Sequence, residues 1–218
     1  MKIQKRYLIS ALCILTSALL HAQGILPPGP GYKTSREVVV STKTYLLVGD
    51  AVATDLSVVD GAGKVRALLS YKASLEVLVV GFYSPECSYD QALWRDLQLF
   101  YQAYKDWHVA FVAVSSKPSD NLDELAAAMK KAGLPYQAVR DENQKVATQL
   151  HVTATPEIVI IDEWGHLRYR GPLHDAPQTP GGKPQHFYAR KAIEAVIGHI
   201  ERVPDPEPGD FIGCPITP

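Results

Sequence analysis

Cysteine is scarce in this chain: Cys13, Cys87 and Cys214 are the only ones in 218 residues. Asp90 and Gln91 stand where a closely spaced partner for Cys87 would have to be, so no Cys-x-x-Cys or Cys-x-x-x-Cys pair exists. The histidines at 108, 151, 166, 174, 186 and 199 are scattered, without i,i+4 pairs or cysteines at ligand spacing. That distribution excludes the usual zinc signatures, so neither a metal nor another cofactor is expected. Charge of one sign is also missing. A formal net charge of -1 gives no reason to expect nucleic acid or an anionic membrane as partner. Long apolar runs are absent too: the longest, Leu8 to Leu20, is about 13 residues, short of the roughly 20 that span a bilayer. No internal repeat occurs.

What is present begins with an export pattern. Lys2, Lys5 and Arg6 precede the apolar run, and Leu20-His21-Ala22 offers a small residue for cleavage before Gln23. Residues 1–22 therefore read as a signal peptide, which places the mature protein in the periplasm or outside the cell, without stable membrane insertion. Disulfides form in such compartments. With Cys13 removed, Cys87 and Cys214 allow one intramolecular pairing.

Residues 23–47 read as a Pro- and Gly-rich leader with a first strand, 48–202 as one domain, and 203–218 as an extended tail with five prolines. Within the domain, Ser57–Val59 and Lys64–Arg66 flank the turn Asp60-Gly61-Ala62-Gly63, a hairpin signature. Leu75–Tyr83 and Val109–Val114 are near-continuous apolar runs, the mark of strands buried on both faces. Leu93, Leu97, Phe100 and Tyr104 share one helical face, and Leu122, Leu125, Ala126 and Met129 another, opened by Asp120 or Asn121 and closed at Gly133. A short strand at 136–140, a helical turn at 146–150, a hairpin about Glu163-Trp164-Gly165 and a last helix from Ala189 to Ile200 follow. This order predicts an α/β domain with a central mixed sheet flanked by helices, an N-terminal hairpin and a Pro-rich C-terminal tail.

Cys87 falls where a buried strand gives way to a helix. Free N–H groups and the helix dipole there favour thiolate over thiol, and the thiolate is the form that attacks disulfides and peroxides. Ser84 is close enough in sequence to donate a hydrogen bond to the sulfur or to a bound peroxide. Glu86 and Asp90 act against activation, because nearby negative charge raises a thiol pKa. A buried structural cysteine is the competing reading. Thr155-Pro156-Glu157, just before an apolar strand, is a candidate cis peptide.

The segment from about Val48 to Gly171 resembles the thioredoxin-like superfamily, and within it the redoxins (alkyl hydroperoxide reductase and thiol-specific antioxidant proteins). The matching pieces are residues 79–87 ending in Ser84-Pro85-Glu86-Cys87, then 109–116, Gly133-Leu134-Pro135-Tyr136, Thr155-Pro156-Glu157 with the strand to Asp162, and Arg168-Tyr169-Arg170-Gly171. Gly213-Cys214-Pro215-Ile216 is similar to the end of some exported redoxin-like chains. The resemblance implies that Cys87 is the attacking cysteine and that Pro156, in cis, shapes the substrate site. Asp90 departs from the thioredoxin dithiol pattern, Gln91 from that of copper chaperones, and Val80 occupies the proline position of the peroxiredoxin motif, which Ser84 otherwise satisfies. Arg140, Arg168 and Arg170 are candidates for a peroxide-binding arginine.

Cys214 has three open readings: a resolving thiol for Cys87, a permanent staple worth about 4–5 kcal/mol by loop entropy, or a cysteine not paired within the chain. Reach permits the first, since about 12 extended tail residues span up to roughly 40 Å. The expected activity is an exported thiol oxidoreductase acting on peroxide or disulfide, with an external thiol reductant. In it Cys87 attacks, Ser84 polarises, Pro156 shapes the pocket, and Glu157 relays a proton. A monothiol disulfide carrier and a non-catalytic binding module are the rivals. The oligomeric state is not specified by the sequence.

Overall fold

The computed structural model describes residues 45–175, 183–200 and 213–217. The expected signal peptide, the leader as far as Thr44, the middle of the 172–184 loop and most of the 203–218 tail lie outside the described residues. Residues 45–47, the described end of the expected first strand, form no strand.

The chain opens with a hairpin, β1 (Ser57–Asp60) and β2 (Val65–Ala67), paired antiparallel. Asp60 fixes its turn by accepting hydrogen bonds from the backbone of Ala62 and Lys64 and from Arg66 Nε. A 3-10 turn (Leu68–Tyr71) leads to β3 (Val77–Phe82), all six of whose residues are buried. After it come α1 (Ser88–Tyr104), β4 (Val109–Ser115), α2 (Leu122–Lys131), β5 (Ala138–Arg140), α3 (Lys145–Leu150), β6 (Ala154–Thr155), β7 (Glu157–Ile161), β8 (Leu167–Gly171), α4 (Tyr188–Ile197) and β9 (Cys214–Pro215). Asn121 caps α2 by accepting from the N–H groups of Asp123 and Glu124, as its sequence signal predicts.

Seven strands form one sheet in the order β2-β1-β5-β4-β3-β7-β8, with β3, β4 and β5 parallel and the outer pairings antiparallel. Strand periodicity explains the two cores. Val77 and Val79 face one side, against Leu93, Leu97 and Phe100 of α1, Leu125 and Met129 of α2, and Ile193 and Val196 of α4. Leu78, Val80 and Phe82 face the other, with Leu68, Val146 and Leu150. A strand clothed on both faces needs no polar alternation, which is why β3 reads as an unbroken apolar run. No helix among the described residues is long and apolar enough to cross a membrane.

The expected and observed elements agree to within a few residues at their ends. The described part of the tail is extended, as its prolines suggest, and β9 pairs with β6 as a separate two-stranded sheet. Cys214 supplies the bond that brings it there, and Pro215 is tolerated because a two-residue ladder on an edge asks little of its missing N–H.

Gly81 in β3 lies under the ring of the fully buried Tyr83, so an added Cβ would land on that ring. Gly81→Ala is expected to destabilise the fold by about 1–3 kcal/mol through overpacking, read as a lowered denaturation midpoint in guanidinium. An unchanged midpoint would contradict this packing.

Candidate active site

Strand β3 delivers the chain to the sheet's carboxyl edge, where Tyr83-Ser84-Pro85-Glu86 turns it into α1. Cys87 is the N-cap residue of that helix, with extended backbone angles, and is wholly buried. Its N–H donates to the Ser84 carbonyl at 3.2 Å, and its own carbonyl accepts from Gln91 N–H at 3.2 Å. The free N–H groups of the first helical turn lie next to the sulfur's residue, the setting that stabilises a thiolate.

Cys87 is joined to Cys214 by a disulfide across 127 residues, with the two Cα atoms 5.9 Å apart. Thr155 lies opposite Cys214 and Ala154 opposite Pro215 in the β6–β9 ladder. Ile216 N–H donates to the Thr153 carbonyl at 2.9 Å, and Gln144 Nε2 donates to the Thr217 carbonyl at 2.8 Å. The Ile216 side chain packs against the second core. Cys87 Sγ lies 3.5 Å from the Thr155 carbonyl oxygen, and the Thr155–Pro156 peptide is cis. Cys87, Cys214 and the Thr155-Pro156 segment thus meet at one place.

Beneath the sulfur lies a buried polar network. Ser84 N–H donates to Asp90 Oδ2 at 2.9 Å, and Ser84 Oγ donates to Asp120 Oδ1 at 2.6 Å. Ser115 Oγ donates to the other Asp120 oxygen at 2.8 Å. Burial pushes the Asp90 carboxyl up to about 8; the hydrogen bond from Ser84 and the Thr155 hydroxyl oppose the rise, and Asp120 adds to it. Burial also pushes Glu157 up to about 7, against the opposing effects of the Thr153 N–H and Arg170. Glu157 Oε2 accepts from Thr153 N–H at 3.4 Å, so this carboxyl stands behind the edge on which the tail is seated.

The sequence reading treated Asp90 as a negative charge opposing thiolate formation. With its carboxyl shifted to about 8 by burial, Asp90 is mostly protonated at neutral pH, and that opposition is reduced. The Ser84 hydroxyl proton is directed to Asp120 rather than to the sulfur. The candidate arginines are engaged elsewhere: Arg140 with the Asp120 carbonyl, Arg168 with Asp162 and the Ile200 carbonyl, and Arg170 with the Leu46 and Leu150 carbonyls. Among the described residues no group of three or more His, Cys, Asp or Glu side chains is placed to hold a metal ion. From sequence Asp120 is only a candidate opener of α2, and neither it nor Ser115 is given a place in the site. The available signal is their position at and just beyond the end of a parallel strand, at the sheet edge where the turns of neighbouring strands converge.

Comparison with known proteins agrees with this geometry. Residues 48–170 match the model of the AhpC/TSA family. No curated protein matches the chain. Among solved structures, the chain is similar to a hypothetical protein from Sinorhizobium meliloti (27% identity, TM-score 0.64, 78% of this chain and 94% of that one). A protein assigned as a thioredoxin from Neisseria meningitidis is similar at 18% identity and TM-score 0.52, over 70% of this chain and 91% of its own. The C-terminal domain of a protein assigned as a thiol-disulfide oxidoreductase from Bacteroides thetaiotaomicron is similar at 17% identity and TM-score 0.53, over 70% and 97%. The last two likenesses concern the fold alone, which is thioredoxin-like. With the family model spanning more than half of its length, the chain belongs to the AhpC/TSA family.

Proposed function

We propose that this protein is an exported thiol-disulfide oxidoreductase whose working couple is Cys87 and Cys214. The observation that carries this reading is the seating of the Cys214 strand. A wholly buried cysteine at a helix N-terminus is bonded to a half-buried one, on a segment tied down by a two-residue ladder. The same contacts support an extended polypeptide as substrate: main-chain pairing at Ala154–Thr155, a cysteine opposite Thr155, and an apolar side chain where Ile216 packs.

In the reductive direction, the Cys87 thiolate attacks one sulfur of a substrate disulfide. The substrate's S–S bond breaks, its other sulfur leaves as a thiolate, and a Cys87–substrate mixed disulfide remains. The Cys214 thiolate then attacks Cys87 Sγ, forming the internal disulfide and releasing the second substrate thiolate. An external thiol resets the couple by attacking Cys214, the more accessible sulfur, with Cys87 as leaving group. The helix N-terminus that stabilises the Cys87 thiolate favours its departure. Pro156 shapes the edge beside the sulfur, Ser84 ties Asp90 and Asp120 to the turn before Cys87, and Glu157 holds the Thr153 N–H just before β6.

Peroxide reduction is the second reading, favoured by membership of the AhpC/TSA family. The Ser84 hydroxyl donated to Asp120 and the three arginines held elsewhere favour disulfide exchange over it.

Cys87→Ser is expected to reduce disulfide turnover to background. Cys214→Ser is expected to leave the first attack intact and to accumulate the Cys87–substrate mixed disulfide, detected by intact mass. Turnover surviving Cys87→Ser would sink the proposal. Consumption of hydrogen peroxide by the reduced wild type, faster than its exchange with a disulfide peptide, would select the second reading.

Glu157 gives a pH prediction. Its carboxyl is raised in the folded protein from 4.5 to about 7, so between those values the native state holds a proton that the unfolded chain has released. Stability is full below the unfolded pKa and falls as pH rises through the folded one, by up to about 3 kcal/mol from this group. Glu157→Gln is expected to flatten that part of the slope in urea unfolding between pH 5 and 7.5. An unaltered slope would show that Glu157 is ionised in the folded state.

A further inference from the structure

Two buried polar atoms of the site, Asp90 Oδ1 and Thr155 Oγ1, make no hydrogen bond of normal geometry. They are neighbours. The Thr155 hydroxyl is close enough to lower the Asp90 pKa, yet neither atom completes a bond of normal geometry. Buried polar atoms left without a well-formed hydrogen bond are uncommon in folded proteins. The fold explains one half of the Asp90 carboxyl. Oδ2 accepts from Ser84 N–H and so fastens the turn that precedes Cys87.

The place of these two groups in the fold supplies the explanation. Asp90 lies in the first turn of α1, three residues beyond the N-cap Cys87. Thr155 touches both groups, its carbonyl oxygen being 3.5 Å from Cys87 Sγ and its hydroxyl beside the Asp90 carboxyl. A disulfide sulfur has no proton to give and accepts hydrogen bonds poorly. A thiol donates and a thiolate accepts strongly, so the unused capacity of the carboxyl and the hydroxyl fits the reduced cysteine.

We propose that Asp90 holds the exchangeable proton of Cys87, passing it to and from the sulfur, while the Thr155 hydroxyl tunes the carboxyl. This rests on the reading of Cys87 as a redox cysteine and assigns the proton in that chemistry. When an external thiolate attacks Cys214, the S–S bond breaks and its electron pair goes to Cys87 Sγ. The Asp90 carboxylic acid then gives its proton to that thiolate, leaving a thiol and a carboxylate. In the opposite step the carboxylate takes the proton back as Cys87 attacks a disulfide. A paired cysteine at position 90 would have held the second electron pair of a dithiol site; here a carboxyl at that position manages the proton, and Cys214 carries the second sulfur.

The groups facing this carboxyl are Asp120, which raises its pKa, Lys117, which lowers it, the buried Tyr83 and the Thr155 hydroxyl. Lys117 is itself 3.8 Å from Glu86. The buried carboxyl is held neutral near physiological pH, the range in which an acid-base group works both ways.

The test uses the full reduced chain and reads the alkylation rate of Cys87 by iodoacetamide between pH 4 and 10, from the mass of its peptide. Wild type is expected to show two coupled steps. Asp90→Asn is expected to show one step, displaced to lower pH by the loss of the carboxylate, with disulfide exchange at pH 7 slowed by about 10²-fold. Thr155→Val keeps the side-chain shape and removes the hydroxyl, and is expected to move the carboxyl's step upward. Independently, the ¹³C shift of the Asp90 carboxyl is expected to titrate at different pH in the oxidised and reduced wild-type protein. An Asp90→Asn profile with the wild-type shape and rate, or a carboxyl midpoint unchanged by reduction, would overturn the assignment of the proton. A Cys87 that no reagent alkylates would instead overturn the redox reading beneath it.

Discussion

The burial of β3 on both faces is the constraint from which the rest of this structure follows. Every residue from Val77 to Phe82 is enclosed, with β4 and β7 on either side and a core above and below. A strand so placed cannot bend until it leaves the sheet, so the turn at Ser84-Pro85-Glu86 and the start of α1 are fixed at the carboxyl edge. Cys87 becomes the N-cap residue because the chain must there exchange sheet hydrogen bonds for helical ones. The N–H groups left free by that exchange are what favour a thiolate.

The same edge gathers polar groups from distant parts of the chain. Ser84 follows β3, Ser115 ends β4 with Asp120 just beyond it, and Thr155 precedes β7, so three separate segments meet at this edge. Hydrogen bonds from Ser84 tie the two carboxyls together, and exclusion of water keeps Asp90 protonated near neutral pH. The tail completes the site from outside. Its strand offers the Ala154–Thr155 edge main-chain partners, places a cysteine opposite Thr155, and buries Ile216. An edge strand of this kind is a ready template for another extended chain. The proposed exchange requires the tail and a substrate to use that template in turn.

Much of the fold was legible because its elements carry strong local signals. The unbroken apolar run of β3, the stripe of Leu93, Leu97 and Phe100 on α1, and the Asn121 cap of α2 each report a burial pattern that the structure reproduces. The ends of elements were less legible, since terminal residues are decided by packing and by hydrogen bonds from other segments. Leu75 lies outside β3 and is exposed, although its apolar character placed it within the expected strand.

For the site, the sequence by itself determined Cys87 as the strand-to-helix cysteine, the Thr155-Pro156 segment before β7, and the absence of a partner at position 90. These are local facts, set by residue identity and by spacing along the chain. The tertiary structure alone decided that Cys214 bonds to Cys87, that its tail lies as a strand on Ala154–Thr155, and that burial pushes the Asp90 carboxyl up to about 8. Pairing across 127 residues depends on where the folded edge leaves room for a strand. A carboxyl's charge depends on how much water its neighbours exclude. Neither quantity is written in a side chain's identity, and both come into being only when the sheet closes around β3.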